Sequence, residues 1–63
     1  MNTYWFMIND ENSDLCGEEF FVEVEGGRNA AFKYAHELFP NTHLHYYGWV
    51  SEYEAECMGL DTY

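Results

Sequence analysis

Residues 18–40 read EEFFVEVEGGRNAAFKYAHELFP, and the fold turns on this stretch because its hydrophobic period changes at a Gly-Gly pair. From Glu18 to Glu25 the residues alternate. Phe20, Val22 and Val24 fall on one side and Glu19, Phe21, Glu23 and Glu25 on the other, the pattern of a strand with one half-exposed, acidic face. Gly26-Gly27 ends the alternation. Beyond it Ala31, Ala35 and Leu38 recur at helical spacing, with Phe32 and Phe39 alongside, so a helix is predicted over Arg28 to Leu38. Pro40 stops it, since proline disfavours the α conformation in the residue before it and has no amide hydrogen.

Working outward, Thr3 to Asn9 is apolar on both parities, Tyr4, Phe6 and Ile8 on one and Trp5 and Met7 on the other, as expected of a central strand. Asp10 to Gly17 is polar and acidic and ends in glycine, so it reads as a loop between strands. His43 to Val50 is a third strand, with Leu44 and Tyr46 on one side and His45, Tyr47 and Trp49 on the other; Gly48 marks a bulge. Ser51-Glu52-Tyr53-Glu54 is a capping box, in which the serine hydroxyl accepts the Glu54 amide and the Glu54 carboxylate returns to the serine amide. The short helix it opens should reach Cys57 or Met58 and close on Gly59 in a left-handed conformation, with Leu60 packing beyond it. Asp61-Thr62-Tyr63 is expected to fray.

A strand-helix-strand crossover makes the second and third strands parallel within one sheet, leaving room for the first between them. The expected fold is a single α+β domain over residues 1–63. Its three-stranded antiparallel sheet has the order second, first, third, with the long helix on one face and the short helix or the acidic loop shielding part of the other.

Twelve Asp and Glu against two Lys and Arg give a formal charge of −10 on 63 residues. A disordered acidic segment would be poor in aromatics, whereas this chain is 21% aromatic and 48% hydrophobic, enough to build a core. The negative field disfavours direct binding to nucleic acid or to anionic membranes and favours a cationic partner. No stretch is long and apolar enough for a membrane span, and the first residues lack the basic start and apolar run of a signal peptide, so a cytoplasmic monomer is expected. In that compartment Cys16 and Cys57 are expected to be free thiols.

No motif names a reaction. His43 and His45 share a strand side, and Cys57, His36 or a carboxylate could join them, but the set falls short of a metal site with motif spacing. Cys16 lies in a loop before Gly17 without the flanking signature of a catalytic cysteine, a domain of 63 residues has little room for a substrate pocket, and most carboxylates lie on exposed parities or in loops, where desolvation does not raise a pKa for acid-base work. Neither catalysis, nor a cofactor, nor a metal is expected. Gly26-Gly27-Arg28 is read as a turn and not as a phosphate cradle, because Glu23 and Glu25 flank it.

Ten of the twelve acidic residues form three groups: Asp10, Glu11, Asp14, Glu18 and Glu19 at the first loop, Glu23 and Glu25 on the second strand, and Glu52, Glu54 and Glu56 on the short helix. With Asp61 they give the whole chain a profile that resembles the small acidic inhibitors of phages and mobile elements, the anti-CRISPR and anti-restriction proteins that imitate DNA. Such inhibitors share size and charge and no sequence motif. The resemblance implies occupation of a Lys/Arg-lined DNA channel, with a multisubunit CRISPR effector as the first target, a restriction enzyme or DNA-binding repressor next, and a host cytoplasm as the setting. Tyr47 and Trp49 are candidates to hold such a complex once desolvated, or else they form a small core under the short helix; Trp5 and Met7 share both readings. The alternative function is a small cytosolic protein-protein interaction module whose charge is incidental.

Overall fold

The strand that is apolar on both parities becomes the middle of the sheet. In the computed structural model, which describes residues 1–63, β1 (Asn2–Ile8) lies between β2 (Glu19–Val24) and β3 (Leu44–Val50), antiparallel to both. α1 (Arg28–Leu38) crosses from one outer strand to the other, and α2 (Glu52–Met58) follows β3. The expected α+β fold, with strand order β2-β1-β3, is the one observed.

One face of the sheet carries Tyr4, Phe6, Ile8, Phe20 and Val22, and these form the main core with Ala31 and Ala35 of α1. The two alanines lie one turn apart and are fully buried, so only methyl groups separate the helix backbone from the strands. Phe32 and Phe39 close the flanks. The Phe6 ring meets Phe20, Phe32 and Tyr46 at centroid distances of 5.8, 5.4 and 5.3 Å. It is the hub of the aromatic core, and Phe6→Ala would remove about 3–5 kcal/mol of stability.

The opposite face has its own smaller buried set. Phe21 and Val50 are 0% and 4% exposed, yet neither belongs to the cluster beneath α1. The sequence pattern placed Phe21 on a half-exposed face, yet it is fully buried, and residues 61–63 pair with the strand edge beside it. Those residues do not fray. They run parallel to β2, bridging Thr62 to Phe21. The Phe21 amide donates to Asp61 O at 2.8 Å, the Tyr63 amide to Phe21 O at 2.9 Å, and the Glu23 amide to Tyr63 O at 2.9 Å. Tyr63 then packs its ring against Phe20 and Phe39, at 5.8 and 6.0 Å. Phe21 therefore lies between Trp5 on one side and Thr62 on the other.

A second departure lies in β3. Its pairing with β1 slips by one residue between Trp5 and Phe6: Phe6 faces Tyr46, whereas Trp5 faces Gly48, so Tyr47 is the inserted residue. Gly48 takes φ 133, a backbone conformation that L side chains rarely adopt, which is why the bulge falls at glycine. The slip reverses the side-chain parity beyond it. Trp49 pairs with Tyr4 on the α1 side of the sheet and Val50 with Thr3 on the other, so Tyr47 and Trp49 do not share a face as simple alternation required. No backbone hydrogen bond reaches β3 from its outer side, whereas residues 61–63 cover the outer side of β2.

The cap of α2 is half of a capping box. Ser51 Oγ accepts the Glu54 amide at 3.1 Å, but the Glu54 carboxylate makes no return bond to Ser51. Gly59 closes the helix in the left-handed conformation, as its position predicts. No helix is long and apolar enough to cross a membrane.

Candidate functional site

The face of the sheet away from α1 forms a grid set by strand register. Across it run Glu19, Met7 and His45, then Phe21, Trp5 and the Gly48 bulge, then Glu23, Thr3 and Val50. Its carboxylates come from β2, because glutamate alternates there with the core positions beneath α1. α2 adds to one end. Glu52, Ala55 and Glu56 border a groove of about 390 Å³ with Thr3 and Glu23. Glu23, from the second-strand group, thus converges on one groove with Glu52 and Glu56, from the short-helix group. Glu54 does not join them, since the α2 side that borders the groove carries positions 52, 55, 56 and 59 and residue 54 falls off it.

At the other end, Glu18, Glu19 and Asp61 surround a smaller recess of about 140 Å³ with Leu15 and Tyr63. Glu11 and Asp14 are exposed on the first loop, and Glu25 is exposed just past the end of β2. Asp10 has a structural task. Its carboxylate accepts the Asn12 amide at 3.0 Å and the His43 amide at 3.2 Å. Those bonds, Asn12 first and His43 second, hold its pKa below the ordinary value of 3.8.

Glu19 is also engaged. Its Oε1 accepts the indole N–H of Trp5 at 2.9 Å. Trp5 in turn stacks on Tyr47, with centroids 4.2 Å apart and planes 27° apart, and His45 meets Tyr47 edge-on at 4.6 Å. The Tyr47 hydroxyl donates to Met7 Sδ at 3.5 Å. Tyr47 nevertheless remains 44% exposed, so this cluster is a surface platform and not the core of α2. The buried residues of this face are Phe21 and Val50, so the small core that Tyr47 and Trp49 could have formed under α2 is not built from those two rings. Trp49, 58% exposed, lies on the other side of the bulge.

The two basic residues stand apart from this surface. Arg28 and Lys33 are exposed positions of α1, which covers the opposite face. Comparison with protein-family models, with curated proteins and with solved structures finds no match. The arrangement itself therefore carries the functional reading. His36 and His43 border a recess with Asn41 and Thr42, but nowhere do three His, Cys, Asp or Glu side chains come together to hold a metal ion. Cys16 and Cys57 are both free and exposed.

Sequence reasoning missed two contributors. The Trp5–Glu19 bond joins side chains on different strands, and no local pattern signals it. Residues 61–63 are too short to show a strand period. The glycine in β3 was the available signal for the parity change, and its consequence for Trp49 follows once the bulge is counted as one inserted residue.

Proposed function

We propose that this chain is an acidic inhibitor that occupies the Lys/Arg-lined nucleic-acid channel of a DNA-binding complex and blocks DNA from loading, with a multisubunit CRISPR effector as the first target class to test. The observation that carries the reading is the segregation of charge. Glu19, Glu23, Glu52 and Glu56 lie on the sheet face and helix that oppose α1, while Arg28 and Lys33 are both on α1, together with one carboxylate, Glu37. Carboxylates so placed collect the cationic side chains that phosphates collect, with no basic residue of the chain's own to compete for them.

The magnitude is consistent with that use. The molecule measures 32 × 23 × 15 Å. A net charge of −10 on a molecule of that size gives it a strongly negative field that draws in cationic surfaces.

The test is a mobility-shift assay in which the purified protein competes with target DNA for a panel of CRISPR effectors, restriction enzymes and repressors. Displacement of DNA that weakens steeply as salt rises supports the proposal. No displacement from any member of the panel overturns it. The interaction-module reading draws on the exposed Trp49 and Tyr53; it calls for partner binding that is insensitive to salt and is lost in Trp49→Ala.

A further inference from the structure

The geometry points to a guanidinium-binding site on the face opposite α1, formed by the stacked rings of Trp5 and Tyr47 and the carboxylate of Glu19, whose ligand is an arginine side chain of a basic partner. The inference deepens the proposed function and rests on it in taking this face as the contact surface.

Three features set the site's chemistry. Trp5 and Tyr47 are stacked at 4.2 Å, which occupies one face of each ring, and His45 meets Tyr47 edge-on at 4.6 Å; Tyr47 is still 44% exposed, so part of its π surface is left for a flat cation to lie against. Tryptophan and tyrosine are the two side chains best suited to that contact, and arginine engages them more often than lysine because its planar fork stacks. Beside the rings, Glu19 spends one carboxylate oxygen on the Trp5 indole and makes no other side-chain hydrogen bond. Its second oxygen remains available to a donor. A guanidinium presents several N–H groups in one plane and can stack on the rings while donating to Glu19, whereas an ammonium offers a point charge without a plane.

The surroundings select for a cation. Glu23 lies on the same strand face as Glu19, and no Lys or Arg shares that face, whose one other nitrogen-bearing ring besides the Trp5 indole is His45. The Trp5–Glu19 bond also fixes the indole's orientation before any ligand arrives, which reduces the ordering cost of binding.

The experiment titrates the whole protein with an oligo-arginine peptide and with an oligo-lysine peptide of equal length, at fixed salt, by calorimetry. Oligo-arginine should bind about three- to ten-fold more tightly. Tyr47→Ala should remove that preference and Tyr47→Phe should keep it. Glu19→Gln, which retains an oxygen for the Trp5 indole, should also remove it. Charge reversal at Glu23 should weaken both peptides alike and leave the ratio unchanged. Equal affinity of the wild type for the two peptides overturns the site, as does a preference that survives both Tyr47→Ala and Glu19→Gln. Circular dichroism of each variant confirms that the sheet is intact. The two readings separate: an arginine preference without displacement of DNA from any target leaves the site standing and removes the proposed function, and displacement without the preference does the reverse.

Discussion

Asp10 and His43 are joined across 33 positions of chain by a hydrogen bond from the His43 amide to Asp10 Oδ2, 3.2 Å long. The bond ties the loop after β1 to the start of β3, next to the Asn9 amide that donates to His43 O at 2.9 Å. The native fold therefore holds the Asp10 carboxyl below 3.8, first through Asn12 and then through His43. A carboxyl whose folded pKa is depressed contributes stability that is fully present above its unfolded value and is lost as pH falls through the folded value. Thermal melts across pH should show Asp10→Ala less stable than the wild type at neutral pH. The gap should close as pH drops below about 4. A gap that stays constant to the lowest pH would show that the ion contributes nothing beyond side-chain shape.

Removal of residues 61–63 tests the unexpected bridge to β2. Three backbone hydrogen bonds vanish, and Tyr63 no longer covers Phe20 and Phe39. At about 1 kcal/mol per bond plus the lost aromatic burial, truncation after Leu60 should cost roughly 2–4 kcal/mol in urea unfolding. Tyr63→Ala should cost about 1–2 kcal/mol, since it keeps the backbone bonds. If truncation leaves the urea midpoint unchanged, the bridge to β2 does not form in solution.

How much of this was legible follows from which interactions are local. Arg28–Leu38 could be read to the residue because Gly26-Gly27, the alanine spacing and Pro40 all act within one segment. The order β2-β1-β3 could be read because only the first strand is apolar on both parities. What escaped the reading is non-local. Thr62 pairs with Phe21 from forty-one positions away, through backbone atoms that any residue possesses. The converging carboxylates of Glu23, Glu52 and Glu56 depend on where α2 comes to rest, which no periodicity encodes. Trp49 was misplaced by one residue of register, and in a strand one residue decides the face.

That register hinges on Gly48, which gives a direct test. At φ 133 an alanine is strained, while a Cβ built there meets no atom within 4 Å, so the penalty of Gly48→Ala is one of backbone torsion alone. It should amount to about 1–3 kcal/mol, or a melting temperature lower by roughly 4 °C or more in a domain of this size. The Trp5–Tyr47 stack should loosen with it, visible as altered near-ultraviolet circular dichroism. An alanine variant as stable as the wild type would mean that the bulge can move to another position.

The acidic surface makes the last prediction, which opposes stability to function. Glu52 and Glu56 are like charges one helical turn apart on α2, and Glu56 stands in the second half of that helix, where a cation would be favoured by the helix dipole. Glu56→Lys should therefore stabilise the fold by about 1 kcal/mol, through relief of repulsion, a new pair with Glu52 and the dipole together. Added salt should raise the wild type's melting temperature by screening the same repulsion, and raise that of the variant less. If the groove lined by Glu23, Glu52 and Glu56 contacts a basic channel, the stabilised variant will be the weaker inhibitor. A substitution that improves folding and impairs binding singles out a carboxylate kept for its contact with a partner. A Glu56→Lys protein that is both more stable and equally inhibitory would move the contact surface away from α2, toward Glu18, Glu19 and Asp61 at the other end of the sheet.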